Sequence, residues 1–340
     1  MRIYKMIKWH NIKDWGVEGK GWDDTVKYYD RLPRRAQKMV PEPVWNLSRS
    51  VPGFAILFES NASEIHAKWQ LESDNMGEMN FPAAGFSGVD LYAWTGKAWR
   101  WVGAGHQINK KNFTQCLINE MNPVKRKFML YLPLRNPVKK VEIGIPEGSS
   151  FKGIAPRKQK PVVFYGTSIL HGANASHAGM VHSSILGRWL NNPVINLGFS
   201  GNGRMEKELA ELISELDAKV YVLDCLPNMD INLVKERAEE FVRLLRKARP
   251  KTPIVMVEDR PHTIIWIKPV NLAGQKKKWK AHRNIFDKLK KSGIKDLYYI
   301  EGASLFGDDS EASLDSSHPS DLGYMRMAEA LFPLLKKLCK

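Results

Sequence analysis

Cysteine is scarce in this chain. Cys116, Cys225 and Cys339 are the full complement, odd in number and far apart. That excludes a dense disulfide framework and any Cys-x-x-Cys metal site, and it reads as three free thiols. Long apolar runs are also missing, since no stretch approaches the ~20 residues that a membrane-spanning helix needs. The first residues, MRIYKMIKWHNIKDWG, start basic but hold no continuous apolar segment, so as written they are not a secretory signal. The expected location is cytoplasmic as written, and periplasmic or secreted if a leader has been removed. Negative charge is in short supply: 52 Lys and Arg against 36 Asp and Glu give a formal net charge of +16. The basic residues are scattered in small groups, such as Arg157 to Lys160 and Lys276 to Lys280. With no long basic stripe and no recognisable module, no specific nucleic-acid partner is expected. The positive field would still favour an anionic substrate such as an acidic polysaccharide.

Hydrophobic residues make up 43% and charged residues 26%, a balance typical of folded globular chains. At 340 residues, two domains are the natural expectation. The first part reads as mostly β. Ile65, Ala67, Trp69 and Leu71 alternate with polar residues, as do Val141, Ile143 and Ile145. Phe54–Phe58 and Phe128–Leu132 are short continuous apolar runs, the mark of core strands. The expected fold is a jelly-roll-like β-sandwich over residues 1–152. Eight of the eleven tryptophans lie there, most of them expected in the core. EGSSFKGIAPRKQK, residues 147–160, has the composition of a linker. From about residue 153 to 340, Val- and Ile-rich runs alternate with amphipathic stretches. That predicts a three-layer α/β domain with a parallel sheet, its site beyond the carboxyl ends of the strands.

Four segments at those strand ends carry chemistry. Pro161–Tyr165 runs into Gly166-Thr167-Ser168, placing a hydroxyl on the first turn. Val194–Leu197 runs into GFSGNG, whose glycines permit tight turns and free N–H groups. Val220–Leu223 leads to Asn228, whose amide can donate to an oxyanion. Asp315-Ser316-Ser317-His318 precedes the last helix, with a carboxylate close enough to fix the tautomer of an imidazole. Each alone has a structural explanation: a helix cap, a strand-to-helix turn, a turn asparagine, a surface loop. No G-x-S-x-G elbow is present, so the common α/β-hydrolase pattern does not fit.

Taken together, Ser, Gly, Asn and Asp-x-x-His in this order resemble the SGNH, or GDSL-type, hydrolases across nearly all of residues 161–340. One departure is Thr167 where the family's Gly-Asp-Ser has Asp. The resemblance implies Ser168 as nucleophile, His318 as general base and Asp315 as its orienting partner. It also implies an oxyanion hole from the Ser168 N–H, the Gly201 N–H and the Asn228 side chain. Gly88-Val89-Asp90-Leu91-Tyr92 looks like the signature of a β-rich domain that precedes one bacterial branch of the family, and NLGFSGNGRME looks like the same branch.

The resulting expectation is a serine ester hydrolase working through an acyl-enzyme, without metal or organic cofactor. Its partner would be a small-molecule or oligosaccharide ester, with an O-acylated carbohydrate as leading substrate. Asn202, His171 and Met79 are the candidate substrate contacts. Three rivals stand beside it. One is an acyltransferase on the same Ser-His-Asp site, and another is a carbohydrate-binding protein with a silent hydrolase fold. The third is a metal-dependent enzyme built on His171, His177 and His182, whose spacing fits no metal motif. Oligomeric state is left open.

Overall fold

The computed structural model describes residues 6–105 and 111–340. Nine strands come first: β1 (Ile7–Asn11), β2 (Ala55–Ser60), β3 (Ile65–Leu71), β4 (Val89–Trp94), β5 (Trp99–Gly105), β6 (Asn112–Ile118), β7 (Arg126–Tyr131), β8 (Val138–Pro146) and β9 (Phe151–Ile154). They form two antiparallel sheets, ordered β1-β8-β3-β6 and β5-β4-β7-β2-β9. Ile65, Ala67, Trp69, Leu71, Val141, Ile143 and Ile145 all point into the core between them, as their alternation predicts. β9 pairs with β2 and lies inside the segment read as a linker. Its residues Phe151 to Ile154 complete the sheet, because Phe151 stacks on Phe58 while short polar neighbours disguise the strand.

The second part alternates strand and helix. β10 (Val162–Gly166), β11 (Val194–Gly198), β12 (Val220–Asp224), β13 (Ile254–Val257) and β14 (Leu297–Ile300) form one parallel sheet, ordered β11-β10-β12-β13-β14. Every residue of β10, β11 and β12 is buried, which is why these strands read as unbroken apolar runs. The helices of the chain are α1 (Glu42–Leu47), α2 (Ala83–Phe86), α3 (Ser168–His171), α4 (His182–Leu190), α5 (Lys207–Glu215), α6 (Ile231–Ala248), α7 (Pro269–Lys291) and α8 (Asp321–Leu338). α3, α4 and α8 cover one face of the sheet. α5, α6 and α7 cover the other.

The two parts share cores. In β2, Ile56 and Phe58 face the sandwich interior, whereas Ala55 and Leu57 pack with Ile169, Ile185 and Tyr324 of the α/β part. The continuous apolar run of β2 is therefore a strand buried on both faces. Residues between β1 and β2 depart from the all-β expectation: they hold α1 and irregular turns, and Trp22, Leu32, Val44 and Trp45 pack with α5 and α6. The tryptophans also differ from expectation. Of the eight in the first part only Trp22, Trp45 and Trp69 are buried, and Trp101 is exposed.

Arg31 is the deepest stitch between the parts. It is 1% exposed and faces no carboxylate at hydrogen-bond distance among the described residues. Its guanidinium donates to the carbonyls of Ser50 (2.8 Å), Leu47 (2.8 Å), Asn196 (3.1 Å) and Gly198 (2.9 Å), and lies over the Phe199 ring. Burial pulls its pKa down, yet a fork of donors is the one side chain that can satisfy four carbonyls at once. Arg31→Ala is expected to cost about 3 kcal/mol or more, because the carbonyls stay buried and lose their donor. The check is the urea or thermal midpoint of the full chain, and a midpoint equal to wild type would contradict this account.

Candidate active site

A parallel sheet in the order 2-1-3-4-5 opens a crevice beside its first strand, at the carboxyl ends. β10 is that strand, and Ser168 is the second residue after it. Thr167 caps α3, its hydroxyl accepting from the Ile169 N–H at 3.4 Å, so Ser168 is the first helical residue and not the cap. The Ser168 N–H is then one of the N–H groups that a helix start leaves without an intrahelical partner.

The Ser168 hydroxyl donates to Nε2 of His318 at 2.8 Å. His318 Nδ1 donates to Asp315 Oδ2 at 2.6 Å. The other oxygen of Asp315 accepts the backbone N–H of His318 at 2.7 Å and of Ser317 at 2.9 Å. Partial burial pushes the Asp315 pKa up, but these N–H groups and the imidazole outweigh it and hold the carboxyl at about 2. The carboxylate is thus ionised at neutral pH and selects the tautomer that leaves Nε2 free to take a proton. Ser168 is 9% exposed, His318 is partly exposed and Asp315 is exposed, so the relay runs from the buried hydroxyl outward to the surface.

Three candidate donors leave the sheet at this same edge, since β10, β11 and β12 end in register. Neither the Ser168 N–H nor the Gly201 N–H has an acceptor among the described residues. Gly201 has φ +69, a left-handed conformation that suits glycine. The turn is pressed flat against β10: a Cβ on Gly203 would come within 2.1 Å of the Gly166 carbonyl oxygen. Asn228 Nδ2 donates to the Asn202 carbonyl at 2.7 Å, which holds the amide in place and leaves its second hydrogen for a ligand. Hydroxyl, imidazole, carboxylate and donors together can take a proton from Ser168 and stabilise a negative oxygen next to it.

The remaining candidates divide. Asn202 lies in this turn and orients Asn228. His171 is fully buried, with Nε2 near Ser50 Oγ (2.9 Å) and the Leu134 carbonyl, and Nδ1 near Ser200 Oγ (3.1 Å). It therefore cannot contact a substrate, and its place on a helix facing β11 is the reason. Met79 stands fully exposed on the loop whose next residue, Asn80, accepts from the Asn174 N–H at 2.7 Å. His182 is buried and stacked on Tyr324, and His177 is bound to Asp90, so the three histidines face different neighbours. The described residues bring one metal-ligand trio together, Glu64, His66 and Cys116, which lies in the β-sandwich and away from the strand crest. Sequence reasoning missed Arg260. Buried after β13, it donates to the Ser317 carbonyl and hydroxyl, both at 2.8 Å, and braces the loop that carries His318. A lone arginine at a strand end offers no signal by which to find it.

Comparison with known proteins shows the family and the fold. Residues 159–336 match the GDSL-like lipase/acylhydrolase family, and residues 7–151 match the N-terminus of SGNH-hydrolase-type esterases. A protein of Bacteroides ovatus described as a GDSL-like lipase is 31% identical, with a TM-score of 0.92 over 98% of both chains. A salicylyl-acyltransferase of a tetracycline biosynthetic pathway, SsfX3, shares the fold at 16% identity, with a TM-score of 0.75 over 95% of both chains. A family two carbohydrate esterase from Cellvibrio japonicus does so at 13% identity, with a TM-score of 0.62 over 98% of both chains. No curated protein is a significant match. The chain belongs to the GDSL-like lipase/acylhydrolase family, with the N-terminal domain of SGNH-type esterases, and is a hydrolase of that family.

Proposed function

We propose that this chain hydrolyses an ester by two-step acyl transfer, with Ser168 as nucleophile, His318 as general base and Asp315 as the group that orients it. The observation that carries the reading is the unbroken relay from Ser168 Oγ through His318 to Asp315, at 2.8 Å and 2.6 Å. Ser168 Oγ attacks the ester carbonyl and its proton passes to His318 Nε2. The oxyanion that forms is held by the N–H groups of Ser168 and Gly201 and by the Asn228 amide. Collapse breaks the bond to the alcohol, which leaves with the proton from His318, and the acyl group stays on Ser168. Water then attacks the acyl-enzyme, again deprotonated by His318, and the acid leaves as Ser168 recovers its proton. No step calls on a cofactor.

The proposed substrate is an O-acylated, chiefly acetylated, carbohydrate. Its support is the β-sandwich fused to the catalytic part, the exposed Trp101 on it, and the same two-part fold in a carbohydrate esterase. A second reading is transfer of the acyl group to an alcohol. The salicylyl-acyltransferase, similar over 95% of this chain, keeps it in view. Product analysis with and without an added alcohol acceptor separates the two.

Three substitutions test the machinery. Ser168→Ala should reduce turnover of p-nitrophenyl acetate to background, and survival of activity would remove Ser168 from the chemistry. Asn228→Ala should lower kcat about 10²–10³-fold with a much smaller change in KM, since the charge it meets develops only in the transition state. A raised KM at constant kcat would assign Asn228 to ground-state binding instead. Asp315→Asn should lower kcat by about 10⁴-fold, because an amide can donate to Nδ1 and invert the tautomer of His318. Steady-state kinetics on the purified variant would contradict the role if the loss were under about tenfold.

A further inference from the structure

The Gly88–Tyr92 signature has no part in the mechanism above, yet its Asp90 is 1% exposed and fully engaged. One oxygen accepts the indole N–H of Trp101 at 2.7 Å. The other meets Nδ1 of His177 at 2.5 Å and the backbone N–H of Gly179 at 2.8 Å. Trp101 belongs to the β-sandwich, whereas His177 and Gly179 belong to the loop between α3 and α4. Gly179 is bare for a reason, as a Cβ there would lie 2.4 Å from the Tyr92 hydroxyl and 2.5 Å from Asp90. A buried carboxylate thus locks two rings from different domains side by side, with centroids 6.0 Å apart. Trp101 is nevertheless 54% exposed. Its indole N–H is pinned while about half of the residue stays open to solvent.

The same loop runs to the candidate active site. Ser176 gives its N–H and hydroxyl to Asp321 at the start of α8, and the Asn174 amide reaches the His318 carbonyl at 3.5 Å. Asn174 and His177 are three residues apart, so their Cα atoms are separated by at most about 10 Å. The alcohol half of an ester must place its leaving oxygen against His318 Nε2, since that nitrogen returns the proton. The α3–α4 loop thus meets the backbone of the histidine against which the alcohol departs.

We propose that Trp101 and His177, locked by Asp90, form a subsite for a sugar ring in the alcohol half of the substrate, remote from the scissile bond. This rests on the reading of Ser168 as nucleophile of an acylated-carbohydrate esterase. A pinned indole face suits the apolar face of a pyranose, and loses little freedom on stacking. With Nδ1 turned to Asp90, His177 keeps Nε2 for a sugar hydroxyl. The subsite gives the signature aspartate a function: one carboxylate sets both halves of a recognition surface across the domain junction.

The test measures kcat and KM of the full chain on acetylated xylotriose and on p-nitrophenyl acetate, for wild type, Trp101→Ala and Trp101→Phe. Trp101→Ala should raise KM for the acetylated sugar about fivefold to tenfold, the loss falling on KM and not on kcat. Trp101→Phe keeps a face for stacking and should recover most of it. An unchanged KM overturns the subsite, and so does a fall of kcat on both substrates, which would make Trp101 a brace of the fold. A wild-type chain that cleaves p-nitrophenyl acetate but no acetylated oligosaccharide overturns it too, while leaving the Ser168 chemistry standing. Ser168→Ala run in parallel separates the other case: if that variant keeps its activity, the mechanism fails, whatever Trp101 does.

Discussion

Strands β10, β11 and β12 end level, and the rest of the site depends on that register. Gly166 pairs with Gly198 on one side and Asp224 on the other. Three chain segments therefore leave the sheet at one height, and Ser168, Gly201 and Asn228 follow within a few residues. With every residue of these strands buried, a shift of one residue would exchange side chains between two differently packed faces and break the fit on both. Gly203 then packs its backbone on the Gly166 carbonyl, so the donor turn sits directly over the strand that carries the hydroxyl. Precise placement here comes from hydrogen-bonded backbone, not from long flexible side chains.

The imidazole is positioned by a different device. Asp315 holds the backbone of Ser317 and His318 as well as the ring, so a single carboxylate shapes the turn and sets the tautomer. Ser316 adopts φ +70 within this turn, a conformation that costs energy for a residue with a side chain. Arg260 offsets that cost from below, through two bonds to Ser317. The loop is thus braced from beneath by the end of β13, and its outer side is closed by the α3–α4 loop through Asn174 and Ser176.

The β-sandwich is part of this construction and not an appendage. Its five-stranded sheet turns one face inward to its partner sheet and the other onto α3, α4 and α8, the helices that flank Ser168 and follow His318. Arg31 ties the segment after β1 to the carbonyls of β11, just ahead of the donor turn. Asp90 ties β4 to the α3–α4 loop. Contacts of this depth make relative movement of the two parts costly.

Much of this was legible in the residues. Unbroken Val- and Ile-rich runs identified β10 to β13, since strands buried on both faces need no polar positions. Ser168, Asn228, Asp315 and His318 stood out because each lies near a strand end or a helix start, where local order decides which way a side chain is presented. Their expected roles, with that of Gly201, came from the resemblance to the SGNH hydrolases. What lay beyond the sequence was every pairing across long separations. Phe151 to Ile154 looked like a linker because a short edge strand carries little apolar signal of its own. His171 looked like a substrate contact by proximity to Ser168, and its burial depends on Ser50, Leu134 and Ser200, which arrive from three other elements. Asp90 was visible as a signature, but its bonds to His177 and Gly179 reach across to the α3–α4 loop of the second part. The sequence by itself determined the order of chemical groups along the sheet edge, because hydrophobic periodicity is local. Only the tertiary structure decided which buried polar groups brace them, because a buried donor or acceptor takes its partner from whatever element the packing brings within reach.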